Sequence, residues 1–131
     1  MRPETIGEPL FLLEGLRESQ RRAVLSVNPL VVVGAGAGTG KTRTLAARFA
    51  WLVTRHGIDV TEILTLTFTE KAAQEMADRI GDTLTRWASR LRRLGAEAEA
   101  DRLDEAVSRL AEAPISTIHS FAYDVVRRNA L

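Results

Sequence analysis

Residues that could hold a phosphate group lie in the first third of the chain. An apolar run, Leu30–Gly34, leads into a glycine-rich stretch, and a helical pattern follows it. Glycines let backbone N–H groups approach an anion closely, and the N-terminus of the next helix faces that anion with its unpaired N–H groups. In such a P-loop a lysine reaches the β- and γ-phosphates and a threonine hydroxyl binds Mg²⁺, which are the roles predicted for Lys41 and Thr42. The predicted nucleotide-contacting loop is Ala35, Gly36, Ala37, Gly38, Thr39, Gly40, Lys41 and Thr42.

The loop departs from the strict P-loop pattern at one position. That pattern has glycine where this chain has Ala35, although Gly34 and Gly36 flank it. The alternative is a glycine-rich turn between a strand and a helix that binds nothing. The order of strand, loop and helix favours the P-loop.

Two further polar groups flank the loop in sequence. Gln20 precedes the apolar run by ten residues, and its carboxamide both donates and accepts hydrogen bonds, as recognition of adenine requires. In isolation, a glutamine at this position would be a solvated helix residue. Thr67, Phe68 and Thr69 follow a second apolar run, and ligands bind at the carboxyl ends of parallel strands. The hydroxyls suit phosphate and the ring suits a base. A structural interpretation is compatible with this, in which Thr69 caps a helix and Phe68 packs beside it.

Composition excludes several other classes. The 131 residues include no cysteine, so disulfide frameworks and thiolate metal sites are excluded. The net charge of +1 gives no overall positive field, and any contact with nucleic acid must be local. No signal peptide or membrane-spanning run is evident, and we expect a cytoplasmic protein with no membrane partner.

Strands and helices alternate along the chain, which predicts an α/β fold with a parallel sheet. The predicted strands are Leu30–Gly34, Ile63–Phe68 and Ile115–Ile118. The predicted helices are Gly15–Ser26, Thr42–His56, Glu70–Arg93, Ala96–Ala113 and Ser120–Asn129. Gly57 is expected to end the second of them. Helical spacing turns Ala72, Ala73, Met76, Ile80, Leu84 and Trp87 inward on one helix and Leu103, Val107 and Leu110 on the next.

Together these motifs resemble those of superfamily 1 DNA helicases of the UvrD/Rep type. Four parts of the chain are similar, in order, to the family's Q motif and motifs I, Ia and Ib. They are Gln20, the loop from Ala35 to Thr42, the segment Thr67-Phe68-Thr69-Glu70-Lys71-Ala72-Ala73 and the segment from Ser116 to Phe121. Glu70, together with an insertion of roughly 35 residues before Thr117-Ile118-His119-Ser120-Phe121, resembles the AddA/RecB helicase-nuclease branch.

The resemblance implies a role for each matching residue. Gln20 would contact adenine and the loop would hold Mg-ATP, with Arg43 near the base or the ribose. Single-stranded DNA would contact Thr67, Phe68 and Thr69, with Phe68 stacked on a base, and would also contact Thr117 and His119. For His119 the alternative is a half-buried structural histidine. The implied fold is a partial RecA-like ATP-binding domain, residues 1–80 and 114–131, with a helical insertion at 81–113.

The family's later motifs do not appear in these residues. The pair Asp104-Glu105 stands in a helical pattern without a preceding strand, so it does not resemble the acidic pair that holds Mg²⁺. We therefore expect an incomplete sheet and a chain that by itself binds nucleotide weakly and hydrolyses it very slowly. The resemblance implies a parent enzyme that is an ATP-driven 3′-to-5′ DNA helicase of repair or recombination. Its partners would be single-stranded DNA, a second RecA-like lobe and a nuclease subunit.

Two other functions stay open from the sequence. One is a different P-loop enzyme such as a small nucleotide kinase, which leaves Gln20 and the Thr67–Ala73 segment unexplained. The other is a non-catalytic module that binds a partner through the helices predicted at Glu70–Arg93 and Ala96–Ala113. Packing of these two helices on each other is the simpler expectation.

Overall fold

The computed structural model describes residues 10–25 and 39–129, and the side chains of residues 12–25 and 42–129. The helices are α1 Glu18–Leu25, α2 Thr39–His56, α3 Glu70–Arg93, α4 Glu97–Ser108 and α5 Ile118–Asn129. The strands are β1 Thr65–Thr67 and β2 Ile115–Thr117, and short 3-10 turns occupy Leu10–Leu13, Val60–Glu62 and Leu110–Glu112. Within these ranges, none of the helices has the length and apolar content that crossing a membrane requires.

The two strands pair in parallel, as predicted, with Thr65 opposite Ile115 and Thr67 opposite Thr117. Each is shorter than the sequence predicted. The first is short because the Ile63 N–H closes the preceding 3-10 turn on the Val60 carbonyl. The third predicted strand, Leu30–Gly34, lies outside the described residues. The described part is therefore a mixed helix and strand structure with a small parallel sheet, which is compatible with the predicted α/β class.

Helix boundaries follow the sequence signals closely in two cases. The bounds of α3 are those predicted, and α2 ends at His56, where Gly57 takes a φ of 63° that favours glycine. The predicted helix Ala96–Ala113 is wrong in its second half, since α4 ends at Ser108 and a separate 3-10 turn follows. The break lies at Arg109, whose N–H bonds to the carbonyls of both Glu105 and Ala106.

Helices α1, α2 and α5 begin at residues other than those predicted. Helix α2 begins at Thr39 rather than Thr42, and α1 is shorter than predicted. Helix α5 starts at Ile118, directly after β2, rather than at Ser120. Because the strand leads straight into the helix, His119, which the prediction left between the two elements, belongs to α5.

The core lies between α3 and its two neighbours, α2 and α4. Helix α3 buries the predicted stripe apart from Ala72, which is half-buried at the edge of the contact. On α4, Leu103 is fully buried and Val107 is half-buried, and Leu110 in the following 3-10 turn is also half-buried. The apolar stripes of α3 and α4 thus cover each other, as the simpler expectation held. The residues of α3 in the core are Met76, Ile80, Leu84, Trp87, Ala88 and Leu91.

One arginine joins the ends of α3 and α4 at the surface. Arg92 bonds to Glu97 at 3.0 Å and to Asp101 at 2.7 Å, and it pairs with Asp104 at 3.0 Å. Asp104 and Glu105 are exposed on α4, which confirms that they stand in a helix. Because these ion pairs are exposed to solvent, they contribute more to the orientation of α4 relative to α3 than to the stability of the fold.

A second ion pair joins the loop after α2 to the end of α4. The Asp59 carboxylate accepts hydrogen bonds from the Thr61 N–H at 2.9 Å and the Thr61 hydroxyl at 2.7 Å, and it also pairs with Arg109. The Thr61 backbone bond, then the Thr61 hydroxyl and Arg109, lower the pKa of Asp59 from 3.8 to about 2. A carboxyl whose pKa is lowered by folding stabilises the fold above its unfolded pKa.

Replacing Asp59 by asparagine should therefore change the acid response of the fold. The contribution of this carboxylate is fully present above about pH 4 and disappears as the pH falls towards 2. The difference in unfolding free energy between wild type and Asp59→Asn should thus shrink over that interval in urea titrations at several pH values. Asp82→Asn, an exposed change on α3, is the control. A constant difference between wild type and Asp59→Asn down to pH 2 would contradict the assignment.

Candidate nucleic-acid and nucleotide site

The carboxyl ends of β1 and β2 bring two of the predicted motifs together. Thr67 and Thr117 end the paired strands directly opposite each other, and both side chains are buried. The Thr67 hydroxyl donates to the Thr69 carbonyl at 3.1 Å and lies 3.4 Å from the Ser116 carbonyl. The Thr117 hydroxyl accepts from the Ser120 N–H at 3.0 Å. Both predicted DNA contacts therefore use their hydroxyls to shape the backbone of this edge.

Thr69 and Phe68 form the exposed rim of the same edge. Thr69 is the N-cap of α3, as predicted, and its hydroxyl accepts from the Ala72 N–H at 3.0 Å. Phe68 is 77% exposed, so the expectation that it packs beside this cap is wrong. An aromatic ring with so much exposed surface, held between a strand and a capped helix, can stack on a planar ligand.

A chain of hydrogen bonds links the two motifs behind Phe68. The Thr117 hydroxyl donates to the Ser120 hydroxyl at 3.0 Å, and Ser120 in turn lies 3.5 Å from the Glu70 carboxylate. Glu70 is the first residue of α3, where a carboxylate also interacts favourably with the helix dipole. The chain fixes the start of α5 against the start of α3. His119, in the first turn of α5, is exposed, which excludes the half-buried structural histidine.

The edge thus exposes an aromatic ring and an imidazole. Phe68 and His119 stand on the two segments that the hydrogen bonds hold together. A surface of this kind suits stacking on a nucleic-acid base. Because every base has a flat π-face, such stacking does not depend on the sequence of the nucleic acid.

On the nucleotide side, the structure describes fewer of the predicted residues. Ala35, Gly36, Ala37 and Gly38 lie outside the described residues, as do the side chains of Thr39 and Lys41. The backbone from Thr39 onward forms the start of α2, as a P-loop helix requires, and Thr42 lies half-buried in its first turn.

Gln20 has a local partner that the sequence interpretation did not foresee. Its Oε1 accepts from the Arg17 N–H at 2.7 Å, just before the start of α1. This bond is one of the two that make up a capping box, the one in which a glutamine at the third helical position accepts from the N–H of the N-cap residue. The carboxamide oxygen therefore supports the start of α1, and an adenine contact would have to use the rest of the group.

Arg43 lies close to the turn before α1. Its Nη2 is 3.5 Å from the Glu14 carbonyl, and Gly15 adopts a φ of 87° beside it. A Cβ on Gly15 would come within 2.4 Å of that nitrogen, but this end of the Arg43 side chain can move aside, so the need for glycine comes from the backbone conformation. The sequence interpretation missed this role of Gly15, although a lone glycine ahead of a helix is a visible signal.

This chain belongs to the UvrD/REP helicase family. Its residues 16–131 match the UvrD/REP helicase N-terminal domain, so nearly the whole chain is covered. The parallel pairing of β1 and β2 agrees with the parallel sheet predicted from the sequence.

Two groups of relatives resemble the chain over different lengths. A protein of Mycobacterium leprae named ATP-dependent DNA helicase UvrD1 is 46% identical over 69 residues, which are 53% of this chain and 9% of that protein. A protein of a Thermoanaerobacter species, named as the A subunit of an ATP-dependent helicase/nuclease, is 37% identical over 114 residues, 86% of this chain and again 9% of the relative. A probable DNA helicase of Mycoplasma pneumoniae is 50% identical over 68 residues, 52% of this chain and 13% of that protein. The chain thus spans about a tenth of the length of these relatives.

Proposed function

We propose that this chain is the N-terminal ATP-binding part of an ATP-dependent DNA helicase that moves 3′ to 5′ along single-stranded DNA in repair or recombination. The observation that carries the proposal is the edge where β1 and β2 end, with Phe68 and His119 exposed on motifs fixed to each other by the Thr117, Ser120 and Glu70 hydrogen bonds. Family membership and the names of the relatives support it.

In this proposal the start of α2 binds the nucleotide. Lys41 would hold the β- and γ-phosphates and the Thr42 hydroxyl would bind Mg²⁺, at a helix N-terminus that suits an anion. The magnesium ion would neutralise charge on the phosphates. Residues 1–80 and 114–131 would form a RecA-like domain, and residues 81–113 would form a helical insertion. Without an acidic pair at the end of a strand, the chain alone would hydrolyse ATP very slowly.

The proposal also places the chain within the family. The match to the helicase/nuclease relatives is the longer one and extends through the residues of α4, which supports the AddA/RecB branch. The partners would then be single-stranded DNA, a second RecA-like lobe and a nuclease subunit.

A single substitution tests the DNA-binding edge. Phe68→Ala should weaken binding of a labelled oligothymidylate by about five- to a hundredfold, because base stacking on an aromatic side chain contributes roughly 1–3 kcal/mol. ATP binding should stay unchanged. Fluorescence anisotropy measures the first quantity and titration calorimetry the second.

Leu64 supplies a matched control for Phe68. It is 45% exposed and lies just before β1, at the opposite end of the same strand. Leu64→Ala removes exposed apolar surface of a similar kind and should leave DNA affinity as it is. Equal DNA affinities for wild type and both variants would show that Phe68 does not stack on DNA.

A further inference from the structure

A cavity of about 390 Å³ lies beside the turn before α1, between α2 and α3, away from the edge described above. Four arginines line it, Arg43 from α2 and Arg79, Arg86 and Arg90 from α3, together with one carboxylate, that of Glu14. We call these five residues and the space between them the arginine pocket. An excess of three positive charges around one cavity favours an anionic ligand.

The charges of the arginine pocket are not balanced within the described part of the chain. Glu14 pairs with Arg90 at 3.5 Å, and its carbonyl accepts from Arg43. The side chains of Arg79 and Arg86 form no hydrogen bond or ion pair with any described residue, although both line the cavity. Two guanidinium groups therefore have donors available for a ligand, and each can bind a phosphate through two parallel N–H bonds.

The spacing of the arginines indicates what kind of anion would fit. Arg79, Arg86 and Arg90 lie along one face of α3, separated by about 10 Å and about 6 Å of helix rise. One phosphate cannot reach all three. A nucleic-acid strand, which carries a phosphate about every 3.4 Å along a duplex and is longer than this row, supplies several phosphates in line.

The floor of the arginine pocket is rigid. Leu12, Leu16 and Trp87 line it and are buried, and Trp87 is held in the core against Trp51. Gly15 leaves the space that the Arg43 guanidinium occupies. The packed helices therefore hold the backbone positions from which the arginines reach the cavity.

We propose that the arginine pocket binds the phosphate backbone of a nucleic-acid strand, as a contact surface separate from the edge that carries Phe68. The inference rests on the proposed function in the nature of the ligand. The row that would bind the strand is Arg79, Arg86 and Arg90, because the family resemblance places Arg43 beside the nucleotide. Its binding energy is electrostatic and independent of sequence, whereas that of the Phe68 edge comes from stacking.

The test uses salt dependence, which separates the two surfaces. The double variant R79Q/R86Q of this chain is titrated with a labelled oligothymidylate by anisotropy at several salt concentrations. The logarithm of the affinity falls as the logarithm of the salt concentration rises. Each lost phosphate contact makes this slope less steep by about 0.7 for a single strand. For R79Q/R86Q we expect the slope to become less steep by about 1.4 and the affinity to fall about tenfold at low salt. Circular dichroism checks that the exposed substitutions leave the fold intact.

The double variant R22Q/R93Q provides the matched control. Arg22 on α1 and Arg93 on α3 are exposed and do not line the cavity, and their replacement removes the same net charge. If both double variants lower the slope equally, the effect is one of overall charge and the arginine pocket is not a site. If R79Q/R86Q instead weakens binding of pyrophosphate or of a polyglutamate peptide while DNA binding is unchanged, the ligand is a free phosphate or an acidic protein, and the proposal is overturned.

The outcomes also distinguish this inference from the proposed function. Phe68→Ala should lower affinity with little change in slope, since a ring carries no charge. A reduced slope in R79Q/R86Q, with no effect of Phe68→Ala, would support the arginine pocket and refute the stacking edge. The reverse result would support the edge and refute the arginine pocket.

Discussion

Replacing Lys41 by alanine is expected to weaken ATP binding by about tenfold to more than a hundredfold. A hydrogen bond to a charged group contributes roughly 1.5–3 kcal/mol, and each 1.4 kcal/mol is a factor of ten in affinity. In the proposed site this lysine is the positive charge nearest the β- and γ-phosphates, while the helix N-terminus supplies only partial charge. The loss should therefore be larger for ATP than for adenosine, and calorimetric titration with both ligands measures it.

The chain offers a matched control for Lys41. Lys71 is the only other lysine of the sequence, and it is exposed in the first turn of α3. Lys71→Ala makes the same chemical change and should leave ATP affinity unaltered. Equal ATP affinities for wild type and Lys41→Ala would refute the P-loop assignment, whereas equal weakening by the two variants would indicate a general effect of charge.

Local signals were sufficient where an element depends on its own residues. Helix α3 has its predicted bounds because Thr69 caps one end and Gly95, with a φ of 81°, follows the other. Its apolar residues recur at helical spacing, so the buried stripe was also predictable. The parallel pairing of β1 and β2 follows from the helices between them, because such a crossover leaves few alternatives.

Other features depend on contacts between distant residues, and no local pattern encodes them. Whether Phe68 packs or lies exposed is decided by how β1 and α3 meet, and the sequence was compatible with both. The Thr67 and Thr117 hydroxyls bond to neighbouring backbone and side-chain groups only because the strands end in register. At Gln20, a short-range capping bond competes with the predicted ligand contact.

The ion pairs show the same limitation more strongly. Asp59 and Arg109 are separated by 50 residues and meet only because α4 packs back on α2. The arginine pocket likewise joins Arg43 to residues of α3. The spacing of Arg79, Arg86 and Arg90 is visible in the sequence, but a row of charges usually indicates a solvated helix face. What makes this row a candidate site is the cavity beside it.

Replacing Trp87 by alanine is expected to destabilise the fold by about 3–5 kcal/mol, which is a large fraction of the 5–15 kcal/mol typical of a domain. Trp87 is 1% exposed and is one of the largest fully buried side chains in the described residues. Its ring meets that of Trp51 edge to face, with centroids 6.5 Å apart, and so joins α3 to α2. At roughly 3–5 °C per kcal/mol, the midpoint of thermal unfolding should fall by about 10–20 °C.

Leu94→Ala is the control for this change, because Leu94 directly follows the same helix as its C-cap and is 54% exposed. Surface substitutions of this kind change stability by no more than about 0.5 kcal/mol. Thermal unfolding followed by circular dichroism compares the variants. Since Trp87 also lines the arginine pocket, its loss should reduce DNA binding through a less ordered α3 as well as through stability. Trp87→Phe keeps an aromatic ring in the core and should recover part of the lost stability and part of the lost DNA affinity. If Trp87 acted only locally on DNA binding, the unfolding midpoint of Trp87→Ala would instead lie near that of Leu94→Ala.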